Sequence, residues 1–377
     1  MTTDAQTQAT QTPAQVKSQL RVMRDVILQH EGIEVLNVGV QLAYGRGTID
    51  EDAVAAIREA FPKCDFELDA AEEDDGTLQL RITGPPETMS RLLPWFEADP
   101  SVFRAPWSRL LRWRARLLTS PLRTLPDFLI IGTSKAGTNT LAYDLFAHPR
   151  VAAPRQKELF YFDRYFARGV LRYRANFLTR PMRAFRHAIT GEATPTYLEH
   201  PQVPERVRRL VPNARLICIL RDPVDRAHSL HQLKTRTGEE TLSLDEAIDR
   251  EEREMDRELA RVAADDRYFS PLLHHNAYVW GGIYVDHLQR WTKAFPRDQL
   301  LVLSSDDYRT AHEATFWRVL EFLGLPRVAM PTPVDRNRGI YHPLAPATRA
   351  RLQELFRPHN ERLWEFLGAD WGWNDRP

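Results

Sequence analysis

A short, wholly apolar run followed by a glycine-bounded turn is the strongest local pattern in the chain. Residues 128–131 (FLII) are all apolar, which is typical of a strand buried on both faces of a parallel sheet. Gly132 and Gly137 bound the predicted turn, and apolar residues recur at helical spacing from Thr138 onward. Strand, loop and helix in this order aim free backbone N–H groups and a helix N-terminus at a bound phosphate.

Similar patterns divide the rest of the chain. Apolar runs at 216–220 and 300–303 predict two further buried strands, with helical patterns between them. Together with residues 128–131 they predict a large α/β domain around a parallel sheet. Before it, strand-like IEVLNVGVQLAY, CDFELDA and TLQLRITG alternate with helical patterns and predict a small α+β domain. The predicted divisions are a disordered tail (1–15), an α+β accessory domain (16–98), a basic connecting helix (99–125) and the large domain (126–377).

Net charge, cysteine count and the length of the apolar runs exclude some classes of protein. The chain has 377 residues, and its 51 basic and 51 acidic side chains cancel, so no global charge points to nucleic acid. The two cysteines are too few for a disulfide framework, and this fits a reducing compartment. No apolar run approaches the ~20 residues that span a bilayer, and the first residues do not resemble a signal peptide. We therefore expect a cytoplasmic protein.

The segment 103–123 (FRAPWSRLLRWRARLLTSPLR) is dense in arginine and leucine. Such a segment can lie on an anionic membrane surface, so peripheral membrane contact is one possibility. We instead expect a connecting helix whose apolar side docks on protein. Retention of the protein on anionic liposomes would contradict this expectation.

The position of the lysine in the predicted loop indicates the type of phosphate chemistry. A P-loop for nucleoside triphosphates has its lysine directly after the second glycine, whereas here Thr138 follows Gly137 and Lys135 lies inside the loop. A lysine at this place can neutralise charge on a leaving phosphate. The predicted nucleotide-binding residues of the loop are Ser134, Lys135, Ala136, Gly137, Thr138, Asn139 and Thr140.

Two other stretches carry candidate chemistry. Glu158 lies in an aromatic run (KELFYFD), where a carboxylate can hold a raised pKa and act as a general base. The glutamate of GEATPTY, Glu192, is a second candidate carboxylate. In LRDPVDRAHS, Arg221 follows a strand and Ser229 comes eight residues later, so both can converge on one phosphate.

These motifs resemble, in order and over about residues 126–373, those of sulfotransferases that use 3′-phosphoadenosine 5′-phosphosulfate (PAPS). The K-x-G-T loop is similar to the family's 5′-phosphosulfate loop, KELFYFD to its KE-x-x-FFD segment, and R-D-P-x-x-R-x-x-S to its 3′-phosphate pattern. Many relatives have a histidine two positions after the glutamate, where this chain has Phe160. The resemblance implies a P-loop-like three-layer sandwich with a central parallel sheet. It also implies a basic loop over the nucleotide, at Arg338 and Gly339.

The resemblance implies sulfuryl transfer from PAPS, without a metal, to an acceptor hydroxyl or amine. Glu158 would be the base and Lys135 would stabilise the leaving group, with Glu192, Arg155 and Tyr161 near the substrate. Carbohydrate, glycolipid and small-molecule acceptors all stay open, as does the oligomeric state. Two alternatives are a P-loop kinase that uses ATP and magnesium, and a non-catalytic nucleotide-binding scaffold.

Overall fold

The central feature of the fold is a five-stranded sheet in the order β5-β6-β4-β7-β8, with every neighbouring pair parallel. The computed structural model describes residues 35–40, 65–70, 78–83, 107–156, 158–237, 239–328 and 343–376. The strands of the central sheet are β4 (Phe128–Gly132), β5 (Val151–Ala152), β6 (Ile189–Ala193), β7 (Arg215–Leu220) and β8 (Leu300–Ser304). This confirms the predicted α/β class and its parallel sheet.

Both faces of the sheet are covered, which explains the unbroken apolar run of β4. Leu129 and Ile131 face one core cluster, which also contains Tyr173 and Trp291. Alternate residues of the same strand face a second cluster on the other side. Since successive side chains of a strand point to opposite faces, the strand needs apolar residues at every position. The protein is therefore a three-layer sandwich, as expected.

Helices connect the strands and cover the sheet. Their bounds are α1 (Trp107–Leu118), α2 (Thr138–Ala147), α3 (Val170–Arg174), α4 (Arg180–Arg186), α5 (Val203–Leu210), α6 (Pro223–Arg236), α7 (Leu244–Ala264), α8 (Pro271–His275), α9 (Tyr284–Ala294), α10 (Ser305–Thr310), α11 (His312–Leu323) and α12 (Pro346–Leu367). The charged stretch that begins at Glu239 contains α7, whose first turn Ser243 caps through a capping box with Glu246. No helix in the described ranges has the length and apolar character to cross a bilayer.

A separate sheet of three antiparallel strands lies in the N-terminal part of the chain, in the order β1-β3-β2. Its strands are β1 (Val35–Val40), β2 (Asp65–Ala70) and β3 (Leu78–Thr83). By internal contacts the chain divides into units 1–114 and 115–377. The predicted tail, the N-terminal helices and the loop with Arg338 and Gly339 lie outside the described residues. The predicted domain boundaries and the cytoplasmic location stay predictions.

The end of the basic connecting segment differs in part from the one expected: Trp113 and Leu117 are half-buried, but two arginines also pack inward and two leucines face solvent. Arg116 and Arg123 point inward, and both donate hydrogen bonds to the Phe177 carbonyl, at 3.0 and 2.7 Å. Leu118 is 82% exposed and Leu122 is 61% exposed. The prediction that the apolar side docks on protein is therefore wrong for these two leucines. Carbonyl groups that need donors attract the guanidinium groups instead.

Candidate active site

The predicted phosphate loop lies between β4 and α2, at the carboxyl end of the central strand. Gly137 has a φ of 103° and caps α2 without a side-chain hydrogen bond. The first N–H groups of a helix have no partner within the helix, so this end is open to an anion. Gly132 packs so tightly that an added Cβ would lie 2.6 Å from Leu198 Cβ and 2.8 Å from the Pro195 carbonyl oxygen. Both glycines are thus required by the local geometry.

The loop residues differ in how far they reach the surface. Ala136 and Thr138 are buried, Ser134, Lys135, Gly137 and Thr140 are half-buried, and Asn139 is exposed. The Thr133 hydroxyl is fully buried, and its oxygen has no hydrogen-bond partner in the described structure. A buried polar atom without a partner is costly to the folded state. The loop therefore leaves Ser134, Lys135 and Thr140 partly accessible beside the open end of α2.

Arg221 lies beside this loop. Its Nη1 donates to the Lys135 carbonyl oxygen at 3.3 Å, and its own carbonyl accepts from the Tyr284 hydroxyl at 2.8 Å. Asp222 follows it and begins α6, where its side chain accepts from the Val224 N–H at 2.9 Å. Burial raises the pKa of Asp222 to about 6. The structure therefore brings the predicted 3′-phosphate arginine to the predicted 5′-phosphate loop.

Ser229, the second predicted ligand of the 3′-phosphate, lies two turns into α6 and is buried. Arg226, on the same helix, is also buried and donates to the carbonyl oxygens of Ala277 and Tyr278, at 2.8 and 2.5 Å. Arg226 therefore ties α6 to the chain before α9 and leaves Arg221 as the arginine next to the loop.

Glu158 belongs to a segment held against the carboxyl end of β6. Two residues later, the Phe160 N–H donates to Thr194 Oγ1 at 3.4 Å, and the Tyr161 N–H donates to the Tyr197 hydroxyl at 2.9 Å. Glu158 is half-buried and has a φ of 53°. A left-handed backbone at a glutamate costs of order 1–3 kcal/mol and persists only where the surroundings impose it. The structure thus holds Glu158 in a fixed, strained position on the side of the sheet that carries the phosphate loop.

Glu192 has no exposed surface, and three hydroxyl groups surround its carboxylate. Tyr173 and Tyr197 donate to Oε1 at 2.6 and 3.1 Å, and Thr194 donates to Oε2 at 2.9 Å. Burial raises the pKa of Glu192 to about 7, although the three hydrogen bonds oppose that rise. In this conformation the Glu192 carboxylate has no direct access to solvent and, among the described residues, accepts hydrogen bonds only from these three hydroxyl groups.

The other two predicted substrate residues lie apart from each other. Tyr161 is 5% exposed and its ring stacks on Tyr173, with 4.2 Å between the ring centroids. Burial raises the pKa of Tyr161 to about 12. Arg155 is exposed, and its backbone N–H donates to the Asn176 carbonyl at 2.9 Å. The described structure therefore exposes Arg155 to solvent and buries the side chain of Tyr161.

Asp163 is a buried acid that our sequence analysis did not single out. It accepts from the Thr196 hydroxyl at 2.5 Å and lies 3.5 Å from His274 Nε2. Burial raises the pKa of Asp163, but the nearby His274 and the hydrogen bond from Thr196 outweigh that effect and lower it. The aspartate that ends KELFYFD was the available signal in the sequence. His274 comes from the distant α8, so nothing in the sequence pointed to it.

Comparison with known proteins identifies the class of enzyme to which this fold and site belong. The family model of the sulfotransferase domain matches residues 125–333. The chain therefore belongs to the sulfotransferase family and is a PAPS-dependent sulfotransferase, as its motifs predicted. Membership of this family excludes the two alternatives, a P-loop kinase that uses ATP and a non-catalytic nucleotide-binding scaffold.

Individual relatives agree with this family. The chain is 30% identical over 275 residues to the human (Homo sapiens) heparan sulfate glucosamine 3-O-sulfotransferase 6. The alignment covers 67% of this chain and 74% of that protein. It is 25% identical over 272 residues to the Caenorhabditis elegans bifunctional heparan sulfate N-deacetylase/N-sulfotransferase 1, covering 65% of this chain and 30% of that protein. A crystal structure of a sulfotransferase from Alicyclobacillus acidocaldarius aligns with a TM-score of 0.52 at 25% identity, over 67% of this chain and 100% of that chain.

Proposed function

We propose that this sulfotransferase transfers the sulfuryl group of PAPS to a hydroxyl of a carbohydrate. Lys135 and Glu158 are the proposed catalytic residues, and Arg221 and Ser229 the proposed ligands of the 3′-phosphate. The carbohydrate class is supported by the similarity to a heparan sulfate glucosamine 3-O-sulfotransferase, at 30% identity.

One observation carries the proposed roles of Lys135 and Glu158. Apart from glycines, only four of the residues described have a positive φ, and Lys135 (69°) and Glu158 (53°) are two of them. Strained backbone is concentrated at functional sites, where the fold must fix a side chain against its local preference. The two residues that the sequence singled out for chemistry are thus both held in unfavourable conformations.

The proposed reaction is a single in-line displacement. The acceptor oxygen forms the new bond to sulfur while the bond between sulfur and the bridging phosphate oxygen breaks. The acceptor's proton goes to the Glu158 carboxylate, and negative charge develops on the bridging oxygen. Lys135 stabilises that charge, and 3′-phosphoadenosine 5′-phosphate (PAP) leaves.

Nucleotide selectivity tests the phosphate assignments. Without magnesium, we expect PAP to raise the melting temperature of the wild type, and ADP, which lacks the 3′-phosphate, to raise it far less. Arg221→Ala should lose most of the response to PAP, since a charged hydrogen bond contributes about 1.5–3 kcal/mol. Arg253→Ala, on the exposed surface of α7, is the matched control and should respond as the wild type does. Equal stabilisation by PAP and ADP would contradict the assignment of Arg221.

The acceptor class is tested separately with PAPS and a desulfated heparan sulfate whose amino groups are acetylated. Release of PAP together with a new sulfate ester on the saccharide is the expected result. Sulfation only of a substrate with free amino groups would replace the proposed hydroxyl by an amine. If neither saccharide leads to release of PAP, the carbohydrate class is contradicted. The assignments of the nucleotide-binding residues would stay intact.

A further inference from the structure

A cavity of about 570 Å³ lies at the amino-terminal edge of the central sheet. Its walls come from the residues just before β4, from the end of α3, and from α4 with the residues that lead into β6. The phosphate loop follows the carboxyl end of β4, so the cavity lies at the opposite edge of the sheet. The lining side chains include Arg123, Leu125, Arg174, Arg180, Arg183 and His187.

The charge around this cavity is strongly positive. Arg183 pairs with Asp127 at 2.6 Å. Arg174 and Arg180 have no carboxylate partner among the described residues, and the buried Nε of Arg174 has no hydrogen-bond partner there. Arg186 extends the same charge from the exposed end of α4. The excess of arginine over carboxylate suits an anionic ligand.

Large apolar side chains on the segments that form this cavity face solvent. Of the six large hydrophobic residues that are exposed in the described structure, five lie on the three segments beside it. They are Leu118 (82% exposed), Leu122 (61%), Leu171 (51%), Met182 (42%) and Phe185 (82%). Single exposed apolar residues need no explanation, but a group of them rimmed by charge marks an interaction surface.

Contacts join the three segments, and we call their exposed arginines and the five apolar residues the basic-apolar patch. Arg123 forms an isolated antiparallel bridge with Thr179, and the Thr124 N–H donates to the Leu178 carbonyl at 2.9 Å. The 3₁₀ turn Ser120–Leu122 packs on α3. The residues before β4 are therefore joined to both short helices, α3 and α4.

We propose that the basic-apolar patch docks on a membrane surface rich in anionic phospholipid. The arginines match lipid phosphates, and Phe185 and Leu118 can enter the boundary between headgroups and acyl chains. A soluble saccharide would satisfy the arginines, but the leucines and Met182 would gain little from it. Charge and apolar surface together thus favour lipid. Docking at the amino-terminal edge would leave the phosphate loop, at the other edge, open to solvent.

The test is co-sedimentation of the full chain with phosphatidylcholine vesicles, with and without phosphatidylserine. We expect binding only when phosphatidylserine is present. Phe185→Ser combined with Leu118→Ser should weaken binding by about tenfold or more. Arg180→Gln combined with Arg186→Gln should weaken it by about 25-fold, since each arginine near an anionic surface contributes about fivefold.

Two controls separate the patch from general charge and from misfolding. Arg253→Gln combined with Arg257→Gln removes the same charge from the exposed face of α7 and should retain wild-type binding. Since all the substituted patch residues are exposed, each variant should keep the wild-type melting temperature. Wild type that stays in the supernatant with both vesicle types would overturn the proposal. Equal losses of vesicle binding in the patch variants and the α7 variant would also overturn it. Binding to heparin without any binding to vesicles would overturn it too.

Discussion

Arginines occur at both edges of the central sheet, and their surroundings differ. At the carboxyl edge Arg221 is half-buried and held within the protein, where its Nη1 lies 3.3 Å from the Lys135 carbonyl oxygen. At the amino edge Arg180 is exposed beside a cavity of about 570 Å³, on the same short helix as the 82%-exposed Phe185. The first edge holds a few side chains in fixed positions beside the phosphate loop. The second is a broad surface that mixes charge with apolar side chains.

The difference shows that arginine content alone does not identify an anion site. At the carboxyl edge, the tightly packed Gly132 and the strained Lys135 and Glu158 hold a few groups in fixed positions. At the amino edge, the positive charge is spread over two short helices. We therefore expect substitutions at the carboxyl edge to affect nucleotide binding and turnover, and substitutions at the amino edge to leave both unchanged.

The largest expected effect is on turnover in Glu158→Gln. If Glu158 takes the acceptor's proton, its loss should lower kcat by about 100- to 10,000-fold, the usual contribution of general base catalysis. PAP should still raise the melting temperature of the variant, because Glu158 is not a proposed phosphate ligand. Turnover measured at saturating PAPS, together with the PAP-induced shift, checks both expectations.

Glu313→Gln, which removes an exposed carboxylate from α11, is the matched control and should keep wild-type turnover. Full turnover in Glu158→Gln would mean that another group, and not Glu158, acts as the general base. Loss of PAP binding as well would mean that the substitution had disturbed the phosphate loop, and the assignment of Glu158 as base would fall.

The strands and the phosphate loop could be predicted because their signals are local. The apolar run 128–131 and the spacing of Gly132 and Gly137 require no knowledge of distant residues. The order of the motifs added the class of enzyme. These features include β4, β7 and β8 and the residues of the loop, all of which the structure places as predicted.

The rest depended on contacts between distant parts of the chain. Tyr173 meets Glu192 at 2.6 Å only because α3 folds back over β6. This contact buries a carboxylate that the sequence placed at the acceptor. The inward turn of Arg123 likewise depends on the Phe177 carbonyl, which accepts from it at 2.7 Å. Periodicity shows that a helix has two faces, but it does not show which carbonyls need donors.

The buried Glu192 predicts a pH dependence of stability. Its pKa is raised from 4.5 to about 7 in the folded state, so the folded protein binds this proton more tightly than the unfolded chain does. The stabilisation of the folded state by the protonated Glu192 is complete below pH 4.5, the pKa of this group in the unfolded chain. It is lost as the pH rises through about 7, the pKa in the folded state. Integrated over this window, the loss is about 3 kcal/mol. Glu192→Gln, which cannot ionise, should not show that loss.

Urea unfolding of wild type and Glu192→Gln between about pH 5 and pH 8 measures this effect. We expect the free energies of unfolding to be most similar at the acid end and to diverge in favour of the variant as the pH rises. A difference that does not change with pH would mean that Glu192 stays ionised throughout, held by its three hydroxyl donors.

The smallest expected effect tests whether the tight packing of the carboxyl edge is what makes it a nucleotide site. In Gly132→Ala the new Cβ would lie 2.6 Å from Leu198 Cβ and 2.8 Å from the Pro195 carbonyl oxygen. Relief of this overlap should cost about 1–3 kcal/mol of unfolding free energy. It should also displace the phosphate loop, so PAP should stabilise the variant less than it stabilises the wild type.

Gly169→Ala separates packing from backbone strain. Gly169 has a φ of 83°, but nothing lies within 4 Å of the position of an added Cβ. An alanine there should destabilise the protein by strain alone and leave the response to PAP intact. A normal PAP response in Gly132→Ala would mean that the loop tolerates displacement. In that case the contrast between a rigid carboxyl edge and an adaptable amino edge would rest on charge and apolar surface, and no longer on packing.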